Sequence, residues 1–137
     1  QDVDIYEGET AAETVVRMLQ NNGYSVDYTG NYETGFYLAR ISSESNFVTG
    51  NIPEDLRTKL EEHGFEIYDF TPNSLGDYDF TKGSGWMYQV NGVYPNYGLS
   101  DYCFQNGDTL RLRFTLAYGA DIGQDMTGGS DNWGYEW

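Results

Sequence analysis

The sequence predicts an α+β domain, and three observations carry that expectation. Thr10, followed three residues later by Glu13, opens a run to Asn21 with apolar residues at helical spacing. From Gly85 to Val90 an aromatic face formed by Trp86, Tyr88 and Val90 alternates with Met87 and Gln89, then stops at Asn91-Gly92. A last run sets Leu110, Leu112 and Phe114 against Arg111, Arg113 and Thr115, after the turn Asn106-Gly107-Asp108. A period of 3.6 residues and a period of 2 cannot belong to one kind of element, so helix and strand must coexist.

Taken in order, Val3 and Ile5 alternate with acidic residues between Asp2 and Glu7, which predicts a short first strand before the turn at Gly8. In the capping box Thr10-Ala11-Ala12-Glu13 the threonine hydroxyl meets the amide of Glu13 and the carboxylate reaches back, so a helix starts here. Ala12, Val15, Val16 and Leu19 share one face, and Asn22-Gly23 supplies a left-handed exit near Asn21. Tyr24 to Tyr28 and Phe36 to Ile41 are β-prone runs separated by Gly30, Asn31 and Gly35, the pattern of a hairpin or of neighbouring strands. Asn51 to Glu54, with Pro53 in the first turn, predicts a short second helix carrying Leu56 and Leu60 and ending at Gly64. Phe65 to Phe70 is apolar on both sides and reads as a strand covered on both faces, with Thr71 to Ser84 as loop. Ala117 to Trp137 has no clear period and is expected to be irregular.

At 137 residues the chain suits one domain able to bury a core without disulfide or metal staples. Its 22 acidic residues against 7 basic ones give a formal charge of -15, so phosphate-rich partners are repelled. Nucleic acid and anionic membrane are therefore not expected as partners. Aromatic residues make up 17% of the chain and the apolar positions are periodic, which argues against disorder despite the charge. No apolar run approaches the roughly 20 residues that span a bilayer, and no signal segment begins the chain, so a soluble piece of something longer is expected. Abundant Gly, Tyr, Asn and Asp with few Lys is also the composition of secreted or surface-attached bacterial modules.

Catalytic chemistry finds little support in the residues. Cys103 is alone, so neither an internal disulfide nor a cysteine zinc cage can form within one chain. His63 follows Glu61-Glu62 at a helix end, where the helix dipole favours a protonated imidazole, and it reads as structural. No nucleophile elbow accompanies Cys103 and His63, and nothing singles out a carboxylate pair, so the expectation is a protein that is not an enzyme. Asp121 and Asp125, with Asp101, Asp108 and Asp131 nearby, offer oxygen ligands for calcium, but their spacing fits no EF-hand loop and a solvated acidic surface is the favoured reading. No cofactor or metal is expected.

The order EGETAAETVVRML, FYLARI, GWMYQVNG and GLSDYCFQNGDTLRLRF, with the paired features Trp86 to Asn91-Gly92 and Gly98 to Asp101-Tyr102 ahead of Asn106-Gly107-Asp108, resembles the transcobalamin-like C-terminal domain. That family occurs at the end of animal cobalamin carriers and in bacterial surface proteins. The resemblance implies a ubiquitin-like β-grasp fold, a mixed sheet packed by one main helix. On that pattern residues 1–123 form a single domain with an insertion around 42–82 that holds the short helix and strand, and residues 124–137 form an aromatic, Gly/Asp-rich tail. It also implies that a ligand-facing loop falls on Tyr94, Pro95, Asn96 and Tyr97, and that cobalamin, where bound, is contacted from such a loop against a separate helical domain. Thr115 stands where the carriers place an aromatic residue.

Loop tyrosines beside a rigid Pro95 suit recognition of a sugar, a corrin edge or a peptide, while Trp133, Tyr135 and Trp137 either cover the domain or mark a contact surface. Trp86 is expected in the core. The sequence is thus read as a non-catalytic binding or adhesion module of a larger extracellular or cell-surface bacterial protein, its ligand contacted by Tyr94, Pro95, Asn96, Tyr97, Trp133 and Tyr135. Its partners are neighbouring domains of the same protein and a protein, glycan or cobalamin ligand. Two other readings stand beside it, a structural spacer without small ligand and a cobalamin-binding lid.

Overall fold

Thr10 ends an extended segment and begins a helix because its hydroxyl accepts the Glu13 amide at 3.3 Å. The computed structural model describes residues 3–48, 50–95 and 98–123. Helix α1 runs Ala11–Asn21 and leaves through Gly23 at φ 87. The Thr10 hydroxyl also donates to the Tyr32 carbonyl at 2.7 Å, which fastens the helix start to the loop of the following hairpin. Ala11, Ala12, Val15 and Val16 are buried to 2% exposure or less, the apolar face expected from their spacing.

Strands β1 (Tyr24–Thr29) and β2 (Tyr37–Ser43) form an antiparallel hairpin, and β3 (Ser74–Gly76) pairs antiparallel with the far side of β2. Helix α2 (Glu54–Glu62) lies between β2 and β3 in sequence. Strands β4 (Gly85–Val90) and β5 (Leu110–Thr115) make a second antiparallel sheet, with Val90 opposite Leu110 and Gly85 opposite Thr115. Asn91 at φ 54 and Gly92 at φ 82 turn the chain sharply, and Val90 and Val93 exchange hydrogen bonds at 2.9 and 3.1 Å across them. The Asn91 side chain then reaches the second turn, donating to Asp108 Oδ1 at 3.0 Å and accepting from the Thr109 amide at 2.9 Å.

The class is α+β, as the sequence predicts, and its layout is compatible with a β-grasp. The strands differ from the expected mixed sheet in being shared between two antiparallel sheets. Among the described residues, parallel pairing is confined to the bridge between Gly83 and Ala117. Trp86 links the two sheets, because its Nε1 donates to the Leu75 carbonyl of β3 at 2.8 Å.

Two apolar clusters form among the described residues. The first packs α1 against Phe36, Leu38, Ile41 and Leu99, with Trp86, Tyr88, Leu110 and Leu112 closing it. The second gathers Leu56, Leu60, Phe80, Leu116, Ala117 and Ala120, with Phe65, Ile67 and Phe114 at its margin. Trp86 meets Phe114 edge-on at 5.2 Å, so one indole touches both clusters.

Several local expectations change. Val3–Glu7 is not a strand; the Asp4 carbonyl accepts from Arg17 NH2 at 2.7 Å, so a helix side chain takes the place of a ladder neighbour. Helix α2 starts at Glu54 with Pro53 as its cap and no side-chain cap bond, which leaves Asn51 outside it. Phe65–Phe70 is irregular: Phe65 and Ile67 border the second cluster, whereas Tyr68 and Phe70 remain exposed. The inserted strand is instead β3, inside the stretch read as loop. At the end of β5 the polar face is the more buried one, with Arg113 at 5% and Thr115 at 4% exposure, because Leu116 to Ile122 folds back over it, while Arg111 stays exposed.

Candidate functional site

Strand β2 carries a bulge: Asp27 lies opposite Arg40 and Tyr28 opposite Leu38, so Ala39 is the extra residue. A regular strand would send residues three apart to opposite faces. Here the bulge keeps Leu38 and Ile41 both in the core, at 4% and 3% exposure, and turns both Tyr37 and Arg40 toward the segment that follows β3. The freed Ala39 carbonyl accepts the Asp77 amide at 3.1 Å.

That segment, Gly76 to Thr81, is held by one arginine. Arg40 NH1 donates to Asp79 Oδ2 at 2.8 Å and to Ser74 Oγ at 2.9 Å, and its NH2 donates to the Asp77 carbonyl at 3.1 Å. Asp79 is 8% exposed, and its Oδ2 also accepts the Gly76 amide at 2.9 Å. With its charge paired to Arg40 and its Oδ2 accepting two hydrogen bonds, this buried carboxylate is compensated for its burial. The clamp sustains an uncommon backbone, because Tyr78 and Phe80 have φ of 68° and 70° without being glycine. Each such residue costs on the order of 1–3 kcal/mol and persists only where its surroundings over-determine it. The conformation sends Phe80 inward, stacked on Phe70 at 4.8 Å, and leaves Tyr78 68% exposed.

Tyr37 completes the patch. Its hydroxyl donates to Asp77 Oδ1 at 2.6 Å, and burial, that bond and the charges of Asp77 and Tyr78 all push its pKa upward, so it stays a neutral donor. Among the described residues no hydrogen bond reaches Asp77 Oδ2 and no ring stacks on Tyr78. A Cβ on Gly85 would stand 3.0 Å from the Tyr37 hydroxyl and 3.2 Å from Asp77 Oδ1, so the start of β4 forms a close floor under the pair. The result is one aromatic face with its hydroxyl and one acceptor oxygen on a clamped loop, with the Tyr37 hydroxyl reaching Asp77 from β2.

The loop singled out by the sequence has a different character. The Tyr94 hydroxyl donates to the Ile122 carbonyl at 2.8 Å and accepts from Arg113 NH1 at 3.0 Å. Burial pushes the Tyr94 pKa up against the opposing pull of Arg113. Tyr94 thereby pins the segment covering β5, and Pro95 beside it is half-buried. Asn96, Tyr97, Trp133 and Tyr135 lie outside the described residues, as do Trp137, Asp125 and Asp131.

Of the remaining aspartates, Asp101 sits exposed in a 3-10 turn at Leu99–Asp101. Asp108 accepts from the Tyr102 hydroxyl and the Gln105 amide, which hold its carboxyl below the usual range. Asp121 is fully buried, accepting the Thr115 hydroxyl and the Leu116 amide. They do not converge, and among the described residues no group of three His, Cys, Asp or Glu side chains could hold a metal ion. An open cleft of about 620 Å³ lies between Val3, Ile5, Met18 and the turn at Asn106 to Thr109.

Sequence reasoning missed Tyr37 and Tyr78, and it read Asp77 with Asp79 as part of a solvated acidic surface. The acidic and aromatic alternation Asp77-Tyr78-Asp79-Phe80 was the available signal, but it sits in a stretch without apolar periodicity, and Tyr37 joins it from 40 residues away.

A family model described as a domain of unknown function (DUF4430) matches residues 62–115, from the last residue of α2 to the last of β5. The match includes Asp77, Tyr78 and Tyr94 but not Tyr37. No curated protein and no solved structure matches the chain. Among the described residues, no helix is long and apolar enough to cross a membrane.

Proposed function

We propose that this chain is a non-catalytic binding module of a larger secreted or cell-surface bacterial protein, contacting its ligand through exposed tyrosines. The observation that carries the reading is Tyr78, 68% exposed at φ 68 on a loop clamped by Arg40. Strained, over-determined backbone concentrates at functional sites, and a rigid aromatic loses little entropy when it binds. The motif resemblance to transcobalamin-like C-terminal domains supports a module that works beside other domains, and the family match over residues 62–115 covers the loop that carries Asp77 and Tyr78. The acidic surface, at -15, supports an environment where solubility matters and phosphate partners are absent.

A spacer role is the second reading, favoured by the Tyr94 hydroxyl, which is engaged within the molecule and fastens one segment to another. Cobalamin capture by the loop from Tyr94 to Tyr97 is the third. One experiment separates them: amide NMR shifts recorded on titration with cell-wall glycans, peptides and cyanocobalamin, for the natural chain and for Tyr78→Ala and Tyr94→Phe. A saturable response lost in Tyr78→Ala, with an unchanged fold by circular dichroism, is the expected result. A response that survives Tyr78→Ala rejects the patch as the contact. Silence toward every class leaves the spacer reading standing.

A further inference from the structure

The chain already contains one solved instance of aromatic and carboxylate recognition. Arg17 lies with its guanidinium 4.7 Å above the Tyr6 ring, while Glu9 takes both its NH2 at 2.8 Å and its Nε at 3.2 Å. A tyrosine face and a carboxylate together hold a guanidinium at the surface, because the ring quadrupole and the anion attract the same positive charge. Asp77 and Tyr78, adjacent on the clamped loop, offer the same two groups, with Tyr37 fixing one carboxylate oxygen, and among the described residues no ion pair or cation–π contact engages them. Arg40, the nearest by its bonds, is directed at Asp79, Ser74 and the Asp77 carbonyl instead.

We propose that Asp77 and Tyr78, braced by Tyr37, receive the cationic side chain of a Lys or Arg in a basic segment of a partner protein. This deepens, and rests on, the reading of the patch as a ligand contact. The whole molecule favours such a partner: with 22 acidic residues and 7 basic ones, its field concentrates cations and slows the approach of anions. A neutral sugar would use the ring and the acceptor oxygen but gain nothing from the field. An anionic ligand would meet repulsion from both Asp77 and the net charge.

The test uses the full chain and the tripeptide probes acetyl-Gly-Arg-Gly-amide and acetyl-Gly-Lys-Gly-amide, with the Nζ-acetylated lysine peptide and a neutral oligosaccharide as comparison ligands, read by NMR shifts of the Tyr78 and Asp77 amides. The cationic peptides should saturate these shifts and the acetylated one should not. Asp77→Asn and Tyr78→Ala should each weaken binding by about two- to fivefold, the range for an exposed ion pair or cation–π contact. Glu61→Gln, which removes one exposed charge from α2, should leave affinity nearly unchanged and so separates the site from the general field. Affinity should fall as salt rises, since the screening length shrinks to about 10 Å at 0.1 M. Equal weakening by Glu61→Gln and Asp77→Asn overturns the proposal. Saturation by the oligosaccharide alone, insensitive to salt, overturns the cationic ligand while leaving the patch a binding site. Silence at Tyr78 toward every probe, with binding observed elsewhere on the chain, overturns both.

Discussion

Gly76 shows how little space separates the clamp from the strand beneath it. A Cβ there would fall 2.3 Å from the Ala39 carbonyl oxygen and within 2.9 Å of Arg40 Cα, both parts of β2 that cannot swing aside. The requirement is steric, since Gly76 is the last residue of β3 and lies opposite Arg40. Gly85 is less constrained, because its nearest neighbours at 3.0 and 3.2 Å are side-chain oxygens of Tyr37 and Asp77. Gly76→Ala should therefore destabilise the fold by about 3 kcal/mol, at the upper end for overpacking against fixed groups. It should also shift the amide resonances of Asp77 to Asp79. Urea unfolding followed by Trp fluorescence checks the first effect, and a loss below about 1 kcal/mol would show that β2 and β3 can move apart at little cost.

At the scale of elements, α2 joins the rest of the molecule through two leucines. Leu56 and Leu60 are both fully buried, four residues apart on one side of a short helix whose other side is charged. They pack with Phe80, Leu116, Ala117 and Ala120, so the second cluster is assembled from the helix, the clamped loop and the segment that follows β5. Leu60→Ala should cost roughly 2–5 kcal/mol, as large-to-small changes at fully buried sites do. Since Trp86 touches both clusters, unfolding should remain one transition at a lower denaturant midpoint. Two separated transitions by circular dichroism and Trp fluorescence would mean that the clusters fold independently.

The elements that the sequence announces are those whose signals are local: the Thr10 cap, the Asn91-Gly92 turn, and the alternation in β4 and β5. What it hides depends on distant partners. Phe65 to Phe70 has a strand's alternation, but a strand needs a neighbour, and its Tyr68 amide instead bonds the Phe80 carbonyl. β3 is three residues long and shows no period. The bulge at Ala39, which sets the site by aligning Tyr37 with Arg40, appears only when β1 and β2 are paired. Positive φ at Tyr78 and Phe80 carries no glycine signal and follows from the arginine clamp. The patch is thus a product of tertiary contacts; Tyr94 stood out in the sequence because it sits between Gly92 and Gly98 beside Pro95, and its hydroxyl is engaged within the molecule instead.

Across the whole molecule the dominant electrostatic fact is imbalance. Glu9 and Asp79 find arginines at 2.8 Å, yet with 22 acidic residues and 7 basic ones most carboxylates must face others of the same sign. Such excess keeps a protein soluble and repels the compact state from itself. Salt therefore acts on two opposed terms. It weakens the partly exposed pair between Arg17 and Glu9, worth about 1 kcal/mol or less, and it screens the summed repulsion of many carboxylates over distances near the Debye length, about 10 Å at 0.1 M. At a net charge of -15 the second term should win, so the thermal midpoint should rise as NaCl is taken from 10 to 200 mM at neutral pH, about 30 Å to about 7 Å of screening length. Differential scanning calorimetry at constant buffer measures it. A midpoint that falls with salt would place the specific ion pairs above the collective repulsion. It would also weaken the case for a field that draws cationic partners to Asp77 and Tyr78, because the same unscreened charge is asked to do both.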